Sequence, residues 1–135
     1  MITELKLKIL ALGSESMLRL LVNQIDPEEF SFTGCQTITE MAERLEKERF
    51  DLIILDDQIK DMEIICQALF NLARAPVVAM LRQPAPDWPN LCRLAVDGYL
   101  TDGSSRLEMA ARIKAYSRRK SVSCYAPEFD GIQVN

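Results

Sequence analysis

The sequence predicts an α/β fold, a doubly wound parallel sheet of five strands alternating with five helices. Three observations carry this. Short apolar runs of strand length alternate with segments whose apolar residues recur at helical spacing. The loops between them are short, and regular strand–helix alternation of this kind builds parallel sheets. At the centre lies Phe50-Asp51-Leu52-Ile53-Ile54-Leu55-Asp56-Asp57, whose apolar run Leu52 to Leu55 suits a strand buried on both faces and ends abruptly in two carboxylates.

The elements follow in order. Lys6 to Leu12 opens with charge and turns apolar, as a first buried strand does. Gly13-Ser14-Glu15-Ser16 is a turn with a helix-start signal; Met17, Leu18, Leu21 and Ile25 follow at helical spacing and Pro27 closes the helix. Phe30 to Cys35 alternates apolar and polar residues, the pattern of a half-exposed edge strand. Thr37 to Glu40 has capping-box spacing, and Ile38, Met41, Ala42 and Leu45 are expected to line the apolar face of a second helix. After the Asp56 strand, Met62, Ile65, Leu69 and Leu72 mark a third helix and Ala75 to Leu81 a fourth strand. A proline-rich loop, Arg82 to Pro86, precedes a short fourth helix from about Trp88 to Val96. Gly98 leads to Tyr99-Leu100-Thr101, the fifth strand; Gly103-Ser104 makes the last turn, and Leu107 to Arg119 is the fifth helix.

Composition bounds what such a chain does. At 135 residues it is one domain able to bury a core without disulfides or metals. It contains no histidine, which removes Ser-His-Asp and Cys-His catalysis, His-ligated zinc and haem together. Cys35, Cys66, Cys92 and Cys124 form no C-x-x-C pair and read as reduced core residues. No apolar run is long enough to span a membrane, and Glu4 and Lys6 interrupt any signal-peptide pattern, so a cytoplasmic location is expected. A net charge of −4 argues against bulk nucleic-acid binding by this segment. Arg112, Lys114, Arg118, Arg119 and Lys120 cluster, but a basic helix end complements the macrodipole and reads as solvated.

Ligands of open α/β sheets sit at the carboxyl ends of the strands, and Asp56 is delivered there. On position alone it fits a functional carboxylate and an acidic cap equally. If the strands take the flavodoxin-like order 2-1-3-4-5, the first and third are neighbours at the switch point and Gly13-Ser14-Glu15 faces Asp56.

From about Lys8 to Lys120 the chain resembles the receiver domain of bacterial two-component response regulators. FDLIILDDQIKDM resembles the third-strand motif, with Asp56 at the phospho-accepting aspartate. APVVAML resembles the fourth strand, AVDGYLTD the fifth, and SRLEMAARIKAYSRR the last helix of the OmpR/PhoB-type subfamily. The resemblance implies a non-enzymatic signalling module that a histidine kinase would phosphorylate.

The departures change that expectation. In working receivers two acids after the first strand join the phospho-acceptor in binding Mg²⁺; here those positions hold Gly13 and Ser14. The lysine that pairs with phosphoryl oxygens is Asp102, the switch hydroxyl is Leu81, and the proline after the lysine is Gly103. Carboxylates without metal or lysine repel one another and any phosphate. Asp56 therefore reads as a relic or a structural residue, with neither metal nor cofactor expected. A rearranged Mg²⁺ site using Glu15, Asp56 and Asp57 is the rival reading. A second rival is a flavodoxin-like small-ligand or flavin protein with a phosphate on Gly13 to Ser16, although Glu15 stands where the anion would sit. Tyr99 matches the aromatic switch position and is expected to be packed instead.

The resemblance also implies a homodimer through the face of the fourth helix, fifth strand and fifth helix. Its candidates are Asp97, Tyr99, Glu108, Arg112 and Lys114, while Gly98 and Arg93 replace expected acids. Residues 1–120 are the receiver-like domain. Residues 121–135 resemble a linker and the first strand of a winged-helix DNA-binding domain, implying a longer transcription factor with DNA as partner. The expectation is a receiver that acts without phosphorylation, by dimerising and positioning that domain, open to a protein regulator.

Overall fold

A computed structural model of the chain describes residues 6–72, 75–81 and 96–118. Its strands are β1 (Leu7–Leu12), β2 (Phe30–Cys35), β3 (Leu52–Asp56), β4 (Val77–Leu81) and β5 (Gly98–Thr101). All four pairings are parallel and the order is β2-β1-β3-β4-β5, the order expected from the sequence. The helices are α1 (Glu15–Gln24), α2 (Ile38–Lys47), α3 (Met62–Leu72) and α4 (Arg106–Arg118), the last being the fifth of the sequence pattern. The expected loop from Arg82, the helix from Trp88, and residues 121–135 lie outside the described residues, as do Arg93, Cys92 and Cys124.

Strand periodicity sorts the core into two layers. On β1 and β3, Leu10, Leu12, Ile53 and Leu55 pack to one side with Met41, Ile65 and Leu69 of α2 and α3. Ile9, Ala11, Leu52 and Ile54 pack to the other with Met17 and Leu21 of α1 and Met109 and Ile113 of α4. Both faces are covered, which is why these strands are apolar without alternation. Each fully buried aliphatic side chain contributes about 1.5–3 kcal/mol. A charge anywhere in Leu52 to Leu55 would therefore break one layer or the other.

Local signals set the helix starts. Ser14 caps α1, its hydroxyl accepting from the Met17 N–H, and α2 has a reciprocal capping box between Thr37 and Glu40. Two expectations for α2 are corrected. Ile38 and Ala42 do not join the apolar face; Met41 is buried, Leu45 packs against the core, and Ile38 is 52% exposed. Position 38 is the first helical residue beside the cap, where the chain is still entering from β2 and the i, i+3 pattern does not yet bind it to the core side. The expected strand and helix limits shift by a residue or two elsewhere, and Asp56 itself belongs to β3.

Candidate functional site

Asp56 is the last residue of β3 and is 1% exposed, one of two buried polar residues among those described. Register fixes its surroundings. β1 and β3 are adjacent, so the β1–α1 turn passes over the end of β3. The Ser14 N–H and hydroxyl donate to Asp56 Oδ2 at 3.3 and 3.4 Å. The Gln58 N–H donates to Oδ1 at 3.0 Å. The carboxylate thus ties the β1–α1 turn to the β3–α3 turn, which is how a buried charge is normally tolerated.

Gly13 lies closer still. A β-carbon built on it would stand 2.8 Å from the Asp56 β-carbon and 3.2 Å from Oδ2, and would run into the Met17 methyl. The turn closes down on the carboxylate because nothing projects from position 13.

The other sequence candidates are dispersed. Glu15 does not turn toward Asp56; its carboxylate pairs with Arg19 at 2.7 Å on the exposed side of α1. One helical turn separates them, and the N-terminal residue of α1 points outward once Ser14 has taken the cap. Asp57 is half-buried and accepts from the Gln58 side chain at 3.2 Å. Leu81 is buried at the end of β4, and Asp102 is exposed, its N–H donating to the Leu81 carbonyl. Beyond Asp102, the hydroxyls of Thr101 and the buried Ser104 are 2.9 Å apart and fasten the β5–α4 turn.

A cleft of about 450 Å³ opens beside Asp56, walled by Gln36 to Ile38 on one side and Gln58 to Asp61 on the other. Neither Glu15, Asp57 nor Asp102 lines it. Gln58, Lys60 and Thr37 are the residues that sequence reading missed here. The signal was available only in part, since both turns follow strands whose carboxyl ends share one edge.

The interface candidates also separate. Glu108 and Arg112 pair with each other at 3.5 Å along α4. Lys114 reaches the opposite flank and pairs with Glu29, before β2, at 2.6 Å. The Asp97 carboxylate accepts from the Val77 N–H at 2.8 Å and so fastens the start of β4. Tyr99 is half-buried and packs on the α2–α3 side of the core. Its N–H donates to Tyr116 Oη at 3.3 Å, and the Tyr116 hydroxyl donates to its carbonyl at 3.2 Å.

Solved structures share this fold. A response regulator receiver modulated diguanylate cyclase from Pelobacter carbinolicus superposes with a TM-score of 0.67, covering 93% of this chain and 100% of that one at 23% identity. The signal receiver domain of an HD-domain protein of Pseudomonas fluorescens gives a TM-score of 0.70 over 96% and 97% of the two chains, at 13% identity. The chain has the fold of response-regulator receiver domains. A third neighbour is the receiver domain of a Pseudomonas aeruginosa sensor histidine kinase, with a magnesium ion coordinated in its active-site cleft (TM-score 0.64, 16% identity, 85% and 100% covered). No protein-family model and no curated protein sequence matches the chain.

Mg²⁺ takes oxygen ligands and is held by carboxylates in protein sites. Two acidic residues line the pocket here, Asp56, already engaged by the Ser14 N–H and hydroxyl and the Gln58 N–H, and Asp61, while Gly13 and Ser14 bring no charge. Among the described residues no group of three or more Asp, Glu, Cys or His is placed to hold a metal. The residues present do not fit the ion.

Proposed function

We propose that this chain is the receiver module of an OmpR/PhoB-type response regulator and that it works without phosphorylation of Asp56. One observation carries the reading. The carboxylate that would accept the phosphoryl group is 1% exposed and engaged by the Ser14 N–H and hydroxyl and the Gln58 N–H. A nucleophile must reach its electrophile, and this oxygen pair, although it borders the cleft, is buried and held by those donors. The charge inventory agrees: Gly13 and Ser14 replace acids, and Asp102 replaces a cation.

Such a module acts by assembly. It homodimerises through the flank of β5 and α4, where Glu108 and Arg112 stand one helical turn apart and suit a two-fold interface that exchanges them. Leu107, 85% exposed on the first turn of α4, supplies apolar area beside them. The dimer positions a DNA-binding domain that follows residues 121–135, and a protein regulator takes the part of the kinase. The protein is cytoplasmic in this reading; no described helix is long and apolar enough to cross a membrane.

Intact-mass measurement after incubation with Mg²⁺ and a small phosphodonor tests it. The expected result is an unchanged mass. A stoichiometric phosphoryl adduct that disappears in Asp56→Asn would overturn it.

A further inference from the structure

We infer that the Asp56 site is barred to an acid at position 13 by shape as well as by charge, with Gly13 as the residue that lets the β1–α1 turn close on β3 and Met17 as the side chain that fills the space a side chain at 13 would need. This deepens the reading above and rests on it. Replacing two acids by Gly13 and Ser14 would by itself leave an uncharged but open pocket, which restored acids would make competent again. The geometry points to a different state.

The β-carbon direction of Gly13 is blocked from two sides. One obstacle is the β-carbon of Asp56, 2.8 Å from the site a Gly13 β-carbon would take. That atom is fixed to the β3 backbone and cannot step aside by changing rotamer. The other is the Met17 methyl. Methionine is adaptable in principle, but Met17 is fully buried among Ile9, Ala11 and Leu21, so its retreat must displace packed neighbours. Any side chain at position 13 therefore has to push the β1–α1 turn away from β3. That movement also pulls the Ser14 N–H and hydroxyl off Asp56 Oδ2, since Ser14 is the next residue. Position 14 differs: Ser14 is exposed, so a larger side chain there has room toward solvent. The lock is thus at 13 and 17.

The test uses the full chain and two readouts, urea unfolding and broadening of the Ser14 and Gln58 amide resonances by Mn²⁺. Gly13→Ala adds one methyl and no charge. It is expected to lower the urea midpoint, and the loss is expected to shrink by about half in a Met17→Ala background, because contacting residues are not additive. The charge-restored chain, Gly13→Asp/Ser14→Asp/Asp102→Lys, is expected to bind Mn²⁺ within about twofold of the parent, and addition of Met17→Ala, which removes the nearer obstacle and gives the β1–α1 turn room to tilt off the Asp56 β-carbon, to raise affinity about tenfold or more.

An unchanged midpoint for Gly13→Ala overturns the inference, and does so even if the charge-restored chain fails to fold. So does charge restoration that alone raises Mn²⁺ affinity about tenfold with Met17 in place, or an affinity that stays flat when Met17 is shortened. None of these outcomes touches the mass of the parent chain after phosphodonor treatment, so this inference and the reading beneath it fail separately.

Discussion

The ring of Tyr116 lies where a side chain on Gly98 would have to be. A β-carbon built on Gly98 falls against the ring and only 2.6 Å from the phenol oxygen. The same oxygen serves both backbone groups of Tyr99, accepting from its N–H and donating to its carbonyl. β5 is the last strand of the sheet, and unpaired groups on an edge strand invite pairing with another chain. Tyr116 closes that edge at Tyr99. Gly98→Ala is expected to expel the ring and cost about 2–3 kcal/mol, the scale of overpacking. Tyr116→Phe keeps the ring, removes the two hydrogen bonds and should cost about 1–2 kcal/mol. Urea unfolding of the singles and of Gly98→Ala/Tyr116→Ala measures the coupling, and additive losses would show that the two positions are independent.

Asp56 makes a second prediction, with a sign that separates two roles. In a cluster of repelling acids, neutralising one member stabilises the fold. Here Asp56→Ala strands the Ser14 and Gln58 N–H groups and should destabilise by about 2–4 kcal/mol. Asp56→Asn retains an acceptor for Gln58 but turns a donor toward the Ser14 N–H, so an intermediate loss of about 1–2 kcal/mol is expected. Thermal or urea unfolding of both variants decides, and stabilisation by either would return Asp56 to the role of a repelled, working carboxylate.

These two sites show what the sequence could and could not reveal. The strands and the delivery of Asp56 to a strand end follow from hydrophobic runs and short loops, because burial on both faces leaves continuous apolar runs; the strand order does not follow from pattern and is expected only as the common flavodoxin-like arrangement. Ser14 is legible as a cap and, under that order, as the neighbour of Asp56. Glu15 is misplaced by that logic, since register along the chain does not say which way the first residue of a helix turns. Gly13 and Gly98 look alike in sequence, as missing acids. Their meaning comes from Met17 and Tyr116, partners from other positions that only the packed fold brings in. Lys114 likewise looks like a companion of Arg112 until helical geometry sends it to the opposite flank and onto Glu29.

That division of α4 yields a prediction for assembly. In the proposed dimer, Arg112→Glu should weaken association roughly fivefold, the effect of about 1 kcal/mol, and Glu108→Arg/Arg112→Glu should recover it. Lys114→Glu should leave association unchanged, because Lys114 lies on the opposite flank of α4, against Glu29. Sedimentation velocity over a concentration series reads all three. A loss with Lys114→Glu equal to that with Arg112→Glu would place the interface on the other flank of the helix.

Asp61 carries the strain of the turn below the cleft. It is the one non-glycine residue with positive φ among those described, at 60°. Aspartate tolerates this region better than branched residues do. Asp61→Val should therefore destabilise by about 1–2 kcal/mol. Asp61→Gly should be close to neutral, relief of strain being offset by the freedom glycine gains when unfolded. Equal stability of the valine and glycine variants would show that the turn readily adopts another conformation.

The remaining prediction concerns acid. Glu40 is exposed, yet its carboxylate is held below the ordinary range, first by the Gln36 N–H at 2.9 Å and next by the Thr37 N–H at 3.2 Å. Glu48 is lowered too, chiefly by its bond with Lys8 at 2.8 Å. For both, the unfolded chain binds the proton more readily than the folded one. Their contribution to stability is therefore complete above the unfolded carboxylate value of about 4.3 and is lost as pH falls through the lowered folded value, a window that lies below the ordinary glutamate range. Glu40→Gln removes one titrating group while keeping an acceptor oxygen for the capping box, so stability against pH should become shallower in that window. Glu40→Gln/Glu48→Gln should flatten it further, and Lys8→Met should act in the same direction as the loss of Glu48. Urea midpoints taken at intervals between pH 7 and 3 give the slopes, and a slope unchanged by Glu40→Gln would mean that the Gln36 and Thr37 amides do not hold the carboxylate in solution.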